Sequence, residues 1–192
     1  MAEALQREHV SPWIPAARVG LGLLLLADAW LGWHPATYLS YPSLVYSNAS
    51  VSPPPLATAL VFAAELLGRQ PALAGTLLAA VESALALLIL TGLLIKWALP
   101  ATAALTLVIW VFGQGFGLPF AAGSTDLGSG ILYSLAAVML WRAPGTRSLS
   151  LDRWLEQDRG GHRRRWVRLG ALGGCLALLA LALLQARAGA TL

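Results

Sequence analysis

Residues 72–116 read ALAGTLLAAVESALALLILTGLLIKWALPATAALTLVIWVFGQGF, and Glu82 and Lys96 are the only charges in that stretch. At about 1.5 Å of rise per residue, two helices drawn from it reach across a hydrocarbon core of about 30 Å, the second with help from interfacial residues. The run Lys96-Trp97-Ala98-Leu99-Pro100 reads as a tight turn between Ala72–Leu99 and Ala101–Phe116. The expectation is an antiparallel hairpin of membrane helices.

Working outward, three more apolar segments appear: Ile14–Trp33 before the hairpin, a shorter Leu127–Trp141 after it, and Trp166–Ala186 near the end. The chain of 192 residues is 57% hydrophobic and 11% charged, with a mean hydropathy of +0.67, too few charges to cover the surface of a water-soluble domain. The predicted class is therefore all-α, a polytopic membrane protein with five crossings. Its organisation reads as a cytoplasmic leader (1–13), a four-helix transmembrane bundle (14–145) with an outer loop (34–71), a basic amphipathic linker (146–165) and a C-terminal transmembrane helix (166–192). The polar leader lacks a small-residue cleavage site, so the first apolar run reads as a retained helix.

Orientation follows from charge. With the N-terminus in the cytoplasm, Arg7, Arg18, Lys96, Arg142, Arg147, Arg153, Arg159, Arg163, Arg164, Arg165 and Arg168 lie inside, eleven of the thirteen Lys and Arg residues. Only Arg69 and Arg187 lie outside, as the positive-inside rule requires. Trp13, Trp30, Trp33, Trp97, Trp141 and Trp166 fall at helix ends, where amphipathic rings favour the interface. The pI near 9.8 comes from bases gathered between Arg142 and Arg168 beside apolar helices. That pattern points to an anionic inner leaflet and not to nucleic acid.

The outer loop opens with aromatic and turn-forming residues (Tyr38, Tyr41, Pro42, Tyr46). It reaches Pro53-Pro54-Pro55 and continues as a helix, Leu56–Gln70, too short to span and lying at the outer surface. Asn48-Ala49-Ser50 matches a glycosylation acceptor, a pattern common by chance. On the inner side, Leu149, Leu151, Trp154 and Leu155 interleave with Asp152, Arg153, Glu156 and Arg159 as a surface amphipathic segment.

Two carboxylates interrupt the spans. Asp28 lies five residues before Trp33, about 8 Å below the outer boundary, and Glu82 lies roughly 10–15 Å below it. Ionisable groups at such depth cost about 2.5–3.5 kcal/mol on insertion scales and usually face the bundle interior. Glu82 shares a small-residue stripe with Gly75, Ala79 and Ala86, and Thr102, Thr106, Gly113 and Gly117 form a second stripe. Such stripes let membrane helices approach closely. Glu82 then serves either as a neutral acid bonded to a neighbouring helix or as part of a ligand, quinone or proton site.

The connection from Phe112 to Gly128 contains Phe112-Gly113-Gln114-Gly115-Phe116-Gly117 and has no Lys, so it is no phosphate loop. It reads as a re-entrant turn with Asp126 or Thr125 capping the fourth helix. The sharper reading is a lid over Asp28 and Glu82, with Gln114 offering a donor and an acceptor. His34 is a loop residue or a ligand. No histidine pair suits haem, no cluster has zinc spacing, and no catalytic residue stands out. Cys175 has no cysteine partner and sits beside Gly170-x-x-x-Gly174, a packing pair.

The order of these features resembles the DoxX-like membrane proteins, over roughly Arg18 to Leu155. The likeness rests on Arg18-Val19-Gly20-Leu21-Gly22, on Glu82 followed by Ala86, Leu87 and Gly92, on the Gly-rich outer turn, and on Ser150-Leu151-Asp152-Arg153-Trp154-Leu155. Asp28…Pro35 and the Gln114 turn are similar to an uncharacterised bacterial branch, in which Glu stands at Gln114 and Gln at Glu82. The resemblance implies a four-helix bundle, here with an added fifth helix, in the bacterial inner membrane. It also implies service in redox assemblies such as the membrane part of thiosulfate–quinone oxidoreductase.

The functional expectation is a small membrane subunit of a quinone-linked electron-transfer assembly. Its candidate ligand or proton site comprises Asp28, Glu82, Gln114, Asp126 and His34. No cofactor is expected on this chain alone beyond a quinone or lipid, and its partners are membrane lipids and other membrane subunits. A structural assembly subunit is the second expectation. A small-solute or proton transporter ranks last, because the inner halves of the helices offer only Thr91 and Thr102 as polar groups.

Overall fold

The computed structural model describes residues 12–117, 128–146, 150–156 and 162–189. Every regular element among them is helical: α1 (Trp13–Gly32), α2 (Pro35–Ser50), α3 (Pro54–Arg69), α4 (Pro71–Thr91), α5 (Ile95–Val108), α6 (Ser129–Arg142), α7 (Leu151–Glu156) and α8 (His162–Gly189). A π turn, Ile109–Gly113, and a 3-10 turn, Gly115–Gly117, extend α5. Four helices are long and apolar enough to cross a membrane: α1, α4, α5 with its π turn over Ile95–Gly113, and Leu169–Arg187 of α8. The chain is a multi-pass membrane protein. The apolar α6 has 14 residues and reaches about 21 Å, short of a full hydrocarbon core.

The hairpin turn lies earlier than the sequence suggests. α4 stops at Thr91 because Gly92 adopts a left-handed conformation (φ 68°), and Leu94 follows at φ 53°. Lys96–Leu99 therefore belong to α5. Pro100 sits in the second turn of that helix, where it costs one backbone hydrogen bond and does not start the helix. The shift lengthens the second arm of the hairpin to a full span.

The outer loop is also more regular than expected. Residues 35–50 form a helix, with Pro35 in its first turn and Pro42 inside it. Its serines satisfy themselves: the Ser40, Ser43, Ser47 and Ser50 hydroxyls each donate to the carbonyl three residues back. α2 and α3 close on a small core of Val45, Ala49, Leu60 and Ala64. Asn48, in the apparent glycosylation acceptor, is buried and donates from Nδ2 to the Gly113 carbonyl at 2.8 Å.

α4 is the hub, packed against α1, α8, α2 and α5. Of the predicted stripe, Gly75, Ala79 and Ala86 are buried, and Thr76, Ala80 and Ser83 are buried beside them. Gly75 makes a close helix contact, with α2 as its partner. A Cβ there would collide with Tyr38 of α2, so this glycine seats the α2–α3 hairpin and does not join two spans. On α5 the second stripe holds for the buried Thr102 and Thr106. It ends there, because Gly113 and Gly117 lie in the π and 3-10 turns.

The Gly170 and Gly174 pair makes no close contact with the other described helices. A Cβ at either position meets nothing within 4 Å. α8 leans on α4 nearer its C-terminus instead, through the buried Ala182 and Ala186, with the Thr76 hydroxyl donating to the Ala182 carbonyl at 3.2 Å.

At the other end of the bundle, Arg18 is no surface charge. It is 2% exposed and donates to the Ile89 carbonyl at 2.9 Å. A side chain at Gly92 would strike both Arg18 and Ser150, so the hairpin turn, α1 and the start of α7 meet at one point. The amide of Ile95 donates to Asp152 Oδ2 at 3.2 Å, and Leu155 is buried. The segment read as lying on the membrane surface is thus docked on the helices.

Candidate functional site

Beyond Val108 the chain leaves α-helical geometry. The Gln114 amide bonds to the Ile109 carbonyl five residues back, and Phe116 takes φ 60° with its ring edge-on to Trp110. Single π turns widen a helix and often mark functional positions. Here the widened end of α5 stands off α4, and α2 and α3 roof the gap. The result is a cavity of about 610 Å³.

Of its fifteen lining residues only Tyr41, Glu82 and Gln114 carry polar side chains, and none is Lys, Arg or His. Leu44, Val81 and Val108 line it and are also exposed (46%, 39% and 53%), so the cavity opens on the flank of the bundle. In a bilayer that flank meets acyl chains. Apolar walls with a few placed polar groups are the usual makeup of a small-molecule site.

Glu82 is among the residues that line this cavity. Asp28 is within electrostatic reach of Glu82 but does not line the cavity. It lies exposed on α1, near the Tyr133 phenol of α6. Gln114 lines the cavity with its amide already engaged: Nε2 donates to Ser129 Oγ at 3.0 Å and Oε1 accepts from the Gly130 amide at 3.0 Å. Its side chain bridges to the start of α6, the task the sequence assigned to Asp126 or Thr125. Both of those lie outside the described residues.

His34 stands at the N-cap of α2 with its ring edge-on to Trp30, and it is not part of the cavity lining. Trp33 turns inward, donating from Nε1 to Ser83 Oγ at 3.1 Å, unlike the other terminal tryptophans, which are exposed.

Two phenols join the acids without having been singled out. Burial first, then the charges of Glu82 and Asp28, hold the Tyr41 phenol above its ordinary range, so it keeps its proton at neutral pH. Neither the Tyr41 hydroxyl nor the Glu82 carboxylate has a hydrogen-bond partner among the described residues. Tyr133 is the tyrosine of α6, and only the packing of α6 beside α1 brings it to Asp28. The sequence signal for Tyr41 was its spacing from Tyr38, three residues along one helical face; for Tyr133 there was none.

Among the described residues no group of three His, Cys, Asp or Glu could hold a metal ion. No family model, no curated protein and no solved structure matches the chain.

Proposed function

We propose that the chain is a small inner-membrane subunit of a bacterial electron-transfer assembly, DoxX-like in plan with an added C-terminal span, that holds a lipid-soluble, quinone-like ligand. The observation that carries this reading is the laterally open cavity of about 610 Å³ with apolar walls and Tyr41 and Glu82 among its few polar side chains. A membrane-dissolved amphiphile enters such a site without crossing water. The ligand's tail lies along the α4 and α5 walls and its polar head meets Glu82 and Tyr41. Redox centres belong to partner chains, to which this subunit presents the ligand. In this reading the α2–α3 hairpin faces outside and α7 the cytoplasm, an orientation that the charge asymmetry supports.

Purification in mild detergent, followed by identification of bound small molecules and copurifying chains, tests this. A quinone retained by the wild type and lost when Val81 and Val108 are both replaced by Trp, which fills the mouth, is the expected result. A preparation free of both amphiphile and partner argues against it.

One observation favours a docking role as a second reading. Gly170, Gly173 and Gly174 of α8 have open space where a side chain would stand. Small residues of this kind let a partner membrane helix come close. Replacing Gly170 and Gly174 with Leu is expected to release partner chains while leaving the subunit folded.

A further inference from the structure

Whatever enters the cavity meets an unequal set of polar groups. In its ionised form Glu82 brings two acceptor oxygens and no donor. Tyr41 brings a hydroxyl that donates and also accepts. The Gln114 amide gives one of its two N–H donors to Ser129 and its oxygen to the Gly130 amide, which leaves one donor. No basic side chain lines the walls, and a second carboxylate, Asp28, lies within electrostatic reach of Glu82.

An anionic head group would face Glu82, with Asp28 also within electrostatic reach of that acid and no basic side chain in the lining, so fatty acids and phosphate heads are disfavoured. A head that only accepts hydrogen bonds, such as a carbonyl or ether, satisfies Tyr41 and leaves its own lone pairs facing the Glu82 oxygens. A hydroxyl satisfies both sides at once. It accepts from the Tyr41 hydroxyl and donates to Glu82, and it gives each of these side chains a hydrogen-bond partner.

We infer that the cavity, with Glu82 ionised, selects amphiphiles with an uncharged, hydroxyl-bearing head over those whose head only accepts hydrogen bonds, and that it rejects anionic heads. For a quinone-type ligand this means the reduced, hydroxyl-bearing form. The inference rests on the reading of the cavity as a ligand site and adds the chemistry of the head it takes.

Redox-inert probes separate the two ideas. Para-decylphenol, para-decylanisole and para-decylbenzoate share one tail and differ in a hydroxyl, a methyl ether and a carboxylate. Each is titrated against a tritiated para-decylphenol reference on the full chain in nanodiscs, with a decyl-substituted benzoquinone alongside.

The phenol is expected to bind about tenfold or more tighter than the ether, and the benzoate is expected not to compete. Glu82→Leu should bring phenol and ether to equal affinity by removing the acceptor. Tyr41→Phe should weaken the phenol while leaving a preference for it over the ether, and this variant tests the pair independently if Glu82→Leu fails to fold. Equal binding of phenol and ether to the wild type, or competition by the benzoate, overturns the inference and leaves the ligand site standing. Binding of none of the four compounds overturns the site and the inference together.

Discussion

Asp152 caps α5 from 57 residues away: its Oδ2 accepts the amide hydrogen of Ile95 at 3.2 Å, just past the left-handed turn at Gly92 and Leu94. The Asp152 amide in turn reaches the Gly92 carbonyl at 3.4 Å. One acidic residue thereby ties a short helix outside the spans to the hairpin that carries Glu82. Asp152→Ala is expected to cost about 1 kcal/mol, the usual loss for a helix N-cap, and Asp152→Asn distinctly less because an acceptor oxygen survives. Thermal unfolding of the two variants in detergent measures the difference.

Gly92→Ala is expected to be far more damaging than Gly170→Ala. At Gly92 the new methyl group meets both a left-handed backbone and the Arg18 and Ser150 side chains, and a loss of about 2 kcal/mol or more follows. At Gly170 there is open space, and replacing glycine in a helix is neutral or gains up to about 1 kcal/mol. Denaturant titration of both proteins gives the contrast.

The side chain of Gln114 is structural, although it lines the cavity. Gln114→Ala removes its bonds to Ser129 and Gly130 and is expected to lower stability by about 1–2 kcal/mol. The preference for a phenol over its ether should survive in the same variant. A lost preference with unchanged stability would place Gln114 in the binding site proper.

Asn48 is expected to stay free of glycan even when the chain is made in a eukaryotic secretory system. It is 5% exposed, lies within α2, and its amide is bonded to Gly113. Gel mobility before and after glycosidase treatment checks this. Asn48→Ala should cost about 1–3 kcal/mol, because the Gly113 carbonyl loses its donor where α2 roofs the cavity.

Reporters fused at Met1 and Leu192 are expected in opposite compartments, with the first in the cytoplasm. A shared compartment would mean an even number of crossings, and the sidedness assigned to the cavity would fall with it.

Much of the fold was legible because membrane insertion is summed locally. The apolar runs around Glu82, before Trp33 and beyond Trp166 each carry their own free energy of transfer to lipid, whatever they later touch. The two acids were legible for the same reason, as local exceptions to that sum. The hairpin turn was misplaced because Lys96, Trp97 and Pro100 are strong local signals, while Gly92 ends α4 in a left-handed geometry that one ordinary-looking glycine does not announce. α2 was missed because Tyr and Pro residues mask a helix whose serines bond back to their own turns.

Residue order alone, then, determined that the chain crosses a membrane repeatedly and carries Asp28 and Glu82 in its spans, since water and hydrocarbon discriminate residue by residue. Only the tertiary structure decided that Arg18 is buried, that Gln114 bridges to the start of α6, and that Tyr41 and Tyr133 stand with the acids. These facts are contacts between side chains far apart in the chain, and they arise when helices with several available faces pack in one particular way.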